Sequence, residues 1–282
     1  MASNNIYMRF PEGKAKALTL SYDDGVQQDK RLMEILNAHG LKCTFNINSG
    51  LFAPEGTTYH EGKIHRRMTE RECTELYMNS GHEVAVHALT HPFLEKMSDA
   101  RVAYEVIRDR ENLEKQFGCI VRGMAYPYGT FSDSVVSVLK SCGIVYSRTT
   151  VSTEKFSVPT DWLRMPATCH HKNPRLMELA EKFAKAETLK KHPSLFYLWG
   201  HSYEFEDNNN WNVIEEFAEY MGGREDIWYA TNMEIYEYVE AYRALVFSVD
   251  GSVIMNPTAL TLYFEHNGKI RTVAPGEVLT LE

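Results

Sequence analysis

Little in the sequence could build a disulfide or zinc-ribbon framework. The five cysteines, Cys43, Cys73, Cys119, Cys142 and Cys169, are odd in number, scattered and without paired spacing. They read as buried reduced thiols, because a free cysteine behaves as a small hydrophobe. Basic excess is also missing, since 30 Lys and Arg stand against 38 Asp and Glu for a net charge of −8. Nucleic acid and anionic membrane surfaces are therefore disfavoured as partners, both of which call for a basic patch. No run is long and apolar enough to span a bilayer. Residues 1–10 have neither the basic region nor the apolar stretch of a secretory leader, which as written places the chain in the cytoplasm. Internal repeats and low-complexity tracts are absent.

What is present is an ordinary globular composition, 44% hydrophobic and 24% charged over 282 residues. That length can bury one large α/β core or two smaller ones. A short apolar run followed by a helical pattern recurs along most of the chain. The pattern predicts strands over 15–22, 41–48, 83–88, 121–126, 144–148, 195–199 and 227–230, with a weaker one over 162–165. It predicts helices over 28–38, 69–79, 98–116, 132–141, 174–190, 211–220 and 233–242. Seven or eight such units in residues 1–243 describe an α/β fold, an irregular (β/α) barrel of seven or eight strands. Residues 244–282 differ, with alternating Val, Ile, Leu, Thr and Phe and turn signals at Asp250-Gly251, Asn267-Gly268 and Pro275-Gly276. They read as a small C-terminal all-β appendage, covering a barrel edge or joining copies into a homo-oligomer.

A parallel barrel builds its active site at the C-terminal ends of its strands. The first strand ends in Ser21-Tyr22-Asp23-Asp24-Gly25 and the third in His87-Ala88-Leu89-Thr90-His91. The fourth ends in Tyr126-Pro127-Tyr128-Gly129, and the strand at 195–199 runs into Gly200-His201. Taken singly, these are a common turn, a surface histidine pair, a rigid turn and a rim histidine. Together they place two carboxylates, three histidines and two tyrosines on one face. One carboxylate with two imidazoles can grip a divalent ion and leave coordination positions open, the arrangement of a catalytic centre. The second carboxylate can serve as base and a facing histidine as acid, while a backbone N–H in the Tyr128 turn can meet an oxyanion.

Over roughly 15–243 these motifs resemble the polysaccharide deacetylase family, carbohydrate esterase family 4. The resemblance implies a metal-dependent hydrolase that removes N- or O-linked acetyl groups from an acetylated saccharide. It implies Asp23 as general base and Asp24, His87 and His91 as ligands of one divalent ion, zinc first, with cobalt or nickel next. Tyr128 takes the oxyanion position, His201 the general acid, and Asp161 beside Trp162 the carboxylate that tunes His201. The chain departs from the family where an arginine should orient the base, for that position is Ala125; Arg164 is the expected substitute. An allantoinase-like hydrolase of cyclic amides or imides, and a non-catalytic carbohydrate-binding relative, are the alternatives on this fold. A binding module has no need of Asp23. Trp162, Trp199, Tyr203, Phe205 and Trp211 could stack on sugar rings, but barrel packing is the favoured reading, because large aromatics dominate cores.

Overall fold

A computed structural model describes residues 6–186 and 192–281. In chain order β1 (Ile6–Arg9) comes first, and the main body then begins with β2 (Lys16–Asp23), α1 (Asp29–Ala38), β3 (Cys43–Ile47), α2 (Glu70–Tyr77), β4 (Glu83–Val86) and α3 (Asp99–Phe117). There follow β5 (Gly123–Ala125), α4 (Asp133–Ser141), β6 (Tyr146–Ser152), β7 (Met165–Ala167), β8 (Cys169–His170), α5 (Leu176–Lys185) and β9 (Ser194–Gly200). The body ends with α6 (Tyr203–Asp207), α7 (Asn212–Met221), β10 (Ile227–Tyr229) and α8 (Asn232–Arg243). The expected stretch of α5 from 187 to 190 lies outside the described residues.

Local chemistry sets several boundaries. Thr69 and Glu72 form a reciprocal capping box at the start of α2, and Thr231 and Glu234 do the same for α8. Helix α3 stops at Gly118, which takes the left-handed conformation at φ 64°. The expected strand over 162–165 is a correction: Trp162–Arg164 is a single 3₁₀ turn, and strand pairing begins at Met165.

Strand β2 is buried along all of its length and forms the axis of the sheet. The main path runs β7-β6-β5-β4-β3-β2-β9-β8, with every pairing parallel. Strand β10 lies beside the start of β2, pairing Lys16–Leu18, and β3 takes over from Leu20 onward. The sheet closes through one bent segment: β7 bonds β6, and two residues later β8 bonds β9. This is the irregular (β/α) barrel expected: Leu18, Leu20, Phe45, Val86, Met124 and Leu198 pack its outer face against helix residues such as Leu32, Leu36, Val102 and Val106, while Ala17, Tyr146, Leu195 and Tyr197 lie on the opposite face of the strands.

The tail is all-β, with β11 (Val246–Phe247), β12 (Val253–Met255), β13 (Leu262–His266), β14 (Lys269–Val273) and β15 (Val278–Thr280). Strand β1 joins it, pairing antiparallel with β13 from Ile6↔His266 to Arg9↔Tyr263. Phe264, Leu262 and Val273 pack with Ile235, Tyr238 and Val239 of α8, and the Tyr238 hydroxyl donates to the Arg9 carbonyl at 2.7 Å. Four cysteines are buried and free as expected, whereas Cys119 is exposed. Among the described residues no helix is long and apolar enough to cross a membrane.

Candidate active site

The ends of β2, β4 and β9 bring the expected residues together. Asp23 closes β2, and Asp24 follows with φ 88°, a left-handed turn that swings its carboxylate across the barrel mouth. Beyond β4, Ala88 and His91 also take positive φ, 60° and 53°, which folds the loop so that both imidazoles face Asp24. The ligand atoms of Asp24, His87 and His91 lie within 4.8 Å of one another.

The donor set suits a divalent cation. Nδ1 of His87 donates to the Ala125 carbonyl at 2.8 Å, which leaves the lone pair on Nε2. That Nε2 is buried and has no hydrogen-bond partner among the described residues, so its free lone pair faces the carboxylates. Burial pulls the pKa of His87 down despite the neighbouring Asp23 and Asp24, so the imidazole is neutral and fit to ligate. Burial alone would raise Asp24, but His65 at 3.2 Å, Arg67 at 3.0 Å and the histidines beyond hold it ionised.

Asp23 sits behind the triad with its two oxygens divided. Oδ1 accepts from Asn46 Nδ2 at 2.8 Å, and Oδ2 accepts from Nη2 of Arg148. Arg148 is itself buried, its guanidinium lying 4.3 Å from the centre of the Trp199 ring. Burial would raise the Asp23 pKa, but the Arg148 charge and the two facing histidines outweigh it and keep the carboxylate ionised. The arginine therefore comes from β6, and Arg164 does not take this part, since its guanidinium holds Asp161 at 2.8 Å and Asp133 at 2.6 Å.

His201 faces Asp23 from the far side, Nε2 to Oδ2 at 3.7 Å. Its Nδ1 lies 3.6 Å from Oε2 of Glu204, not from Asp161. Burial would lower the His201 pKa, yet Glu204 and the two aspartates raise it. Asp161 is exposed, and its carboxylate is engaged by Arg164 on the rim. Tyr128 lies in a tight turn at φ 58°, its ring edge-on to His91 at 4.5 Å.

Arg148, Glu204, His65 and Arg67 were not singled out from the sequence. The one signal for Arg148 is a charge inside an otherwise uncharged strand, Tyr-Ser-Arg-Thr-Thr. Glu204 is shared, with His171 Nε2 at 3.1 Å, His170 Nε2 at 3.2 Å and Lys172 Nζ at 2.8 Å. Burial opposes its ionisation, but the contacts of His170, His171, His201 and Lys172 depress its pKa far below the usual range. His170, His171 and Glu204 also lie close enough to suggest a second cation site. The hydrogen bond from the Lys172 N–H to His170 Nδ1, at 3.0 Å, argues otherwise: it occupies the Nδ1 lone pair and puts the proton on Nε2. That nitrogen therefore carries a proton 3.2 Å from Glu204 Oε2 and has no lone pair for a cation, and the cluster is a carboxylate set among imidazoles.

Of the aromatics considered for sugar stacking, Trp162, Trp199 and Phe205 are buried in the packing. The exposed pair beside the site is Phe93 and Tyr128, stacked at 3.9 Å and 10°.

The family model described as Polysaccharide deacetylase matches residues 11–147. A chitooligosaccharide deacetylase of Sinorhizobium fredii (strain NBRC 101917 / NGR234) is 27% identical over 155 residues, 53% of this chain and 61% of that protein. Another, from Bradyrhizobium sp. (strain ANU 289), is 25% identical over 152 residues, 53% of this chain and 60% of that one. The chain thus spans less than two thirds of the length of these curated relatives. A Mycobacterium smegmatis structure provisionally described as a polysaccharide deacetylase shares the fold with a TM-score of 0.60 and 17% identity, over 84% of this chain and 94% of its own.

Proposed function

From the premise that residues 11–147 place this chain with the polysaccharide deacetylases, we propose that it hydrolyses N- or O-linked acetyl groups on a saccharide, an oligosaccharide in particular. The observation that carries the reading is the orphaned Nε2 of His87, aimed between Asp23 and Asp24 with its ring fixed by the Ala125 carbonyl. Asp24, His87 and His91 would hold one divalent ion, zinc first and cobalt or nickel next. Such an ion supplies Lewis acidity to the acyl oxygen and makes a water acidic enough to attack near neutral pH.

The rest falls to the chain's own groups. Asp23, kept ionised and oriented by Arg148 and Asn46, takes the proton of the attacking water. The peptide N–H of Tyr128 meets the developing oxyanion. His201, on the opposite side, carries its proton on the nitrogen facing the site and gives it to the leaving nitrogen or oxygen. Glu204, in the part the sequence assigned to Asp161, holds the His201 ring and favours its protonated form. A saccharide is supported by the exposed Phe93–Tyr128 stack, a flat apolar surface next to a metal ligand.

The test is acetate release from N-acetylated chitooligosaccharides and O-acetylated xylo-oligosaccharides, run beside ring opening of cyclic imides, with zinc, cobalt or nickel supplied. Acetate release from either saccharide supports the proposal. Turnover of imides alone assigns the chain to cyclic-amide hydrolysis, and no turnover of any kind assigns it to binding.

A further inference from the structure

Helix α3 buries two carboxylates on the face it turns to the barrel, Glu105 and Asp109, each at 0% exposure. They are one helical turn apart and so lie side by side. A buried carboxylate is costly unless donors surround it, and the donors here include two peptide N–H groups of the His87–His91 loop. Asp109 Oδ2 accepts from the N–H of His87 at 3.1 Å, and its Oδ1 from the N–H of Ser49 at 2.7 Å. Glu105 accepts from the N–H of Thr90 at 2.9 Å and from the Thr90 hydroxyl at 3.0 Å. Its backbone carbonyl accepts from the N–H of Leu89 at 3.1 Å. From the other side Asn48 Nδ2 donates to the carbonyls of His87 and of Ala88, the latter at 2.7 Å.

The loop so gripped contains Ala88 and His91 in the left-handed region, where a residue with a Cβ persists only if its surroundings dictate it. We infer that Glu105 and Asp109 are positioning residues for the metal site: α3 holds the strained loop so that the His87 and His91 nitrogens stand ready for a cation. Arg101, at 3.2 Å from Glu105 Oε1, keeps the charge of that carboxylate balanced. The inference rests on the reading of Asp24, His87 and His91 as ligands.

Zinc affinity, measured by chelator competition well below the melting temperature, tests it in five proteins: wild type, Asp109→Asn, Glu105→Met, Glu105→Gln and Leu113→Val. Asp109→Asn turns an amide N–H₂ against a peptide N–H, and Glu105→Met removes the acceptor; each should weaken zinc binding about 10- to 100-fold. Glu105→Gln should hold close to wild type, since its carbonyl still accepts from Thr90 N–H, its amide donates to the Thr90 hydroxyl, and the exposed Arg101 side chain can swing into solvent. Leu113→Val lowers stability from the same helix and should leave affinity unchanged. Wild-type affinity in both Asp109→Asn and Glu105→Met, or an equal loss in Leu113→Val, would overturn the inference. Should the wild type take up no cation, the ligand reading fails by itself, and amide exchange decides the clamp. Leu89 and Thr90 should exchange faster in Glu105→Met with α3 unchanged; unaltered exchange at both would refute it.

Discussion

Ala125 of β5 and Arg148 of β6 are register partners across two parallel strands. The side chain missing at the first position is supplied at the second, and the Arg148 guanidinium reaches the Asp23 carboxylate from there. The Asp23 carboxylate is thus held by an arginine one strand along the sheet from Ala125.

Arg148→Ala should lower turnover about 100-fold by letting the base drift, while bound metal stays near wild type. Because register neighbours in parallel strands point to the same face, adding Ala125→Arg to that variant should recover about tenfold of the loss. Acetate-release rates and metal analysis on the three proteins check this. A double variant no better than the single one would mean that the two positions are not interchangeable.

Asp23→Asn keeps shape and hydrogen bonding to Asn46, but it sets an amide N–H₂ against Arg148 and cannot take a proton. Turnover should fall about 100- to 10,000-fold with metal content preserved. Loss of metal together with activity would instead make Asp23 a ligand.

Glu204→Gln should move the alkaline limb of the kcat/KM profile. His201 acts as acid only while protonated, so activity is lost as pH rises through its pKa. Glu204 raises that pKa, and removing its charge should draw the limb toward acid by about one pH unit. Asp161→Asn, with its carboxylate on the rim beside Arg164, should leave the limb in place.

Phe93→Ala should raise KM for an acetylated oligosaccharide about two- to tenfold and leave the hydrolysis of a small acetyl ester unaltered. Equal effects on both substrates would deny the Phe93–Tyr128 stack a part in holding sugar.

Much of the barrel was legible because each strand–helix unit is written locally, and the motifs at Asp23-Asp24 and His87–His91 sit where a strand pattern stops. What was not legible depends on partners far apart in sequence. Strand β1 finds its mate only at β13, at the opposite end of the chain. Arg148 reads as one charge in a strand, and its meaning comes from the neighbouring Ala125 and from Asp23 across the sheet. Glu204 reads as part of an acidic helix start, Tyr-Glu-Phe-Glu-Asp, and only the folding of His170 and His171 against it marks it out. Asp161 beside Trp162 resembles the family's motif, but the turn at Trp162–Arg164 carries the carboxylate out to Arg164.

The most direct test is a titration of metal-free protein with zinc, following bound metal and acetate release from an acetylated oligosaccharide together. Both should rise to a plateau at one equivalent, and His91→Ala should bind zinc far more weakly and release no acetate at that ratio. Full acetate release by metal-free protein, or undiminished zinc binding in His91→Ala, would contradict a centre built on Asp24, His87 and His91.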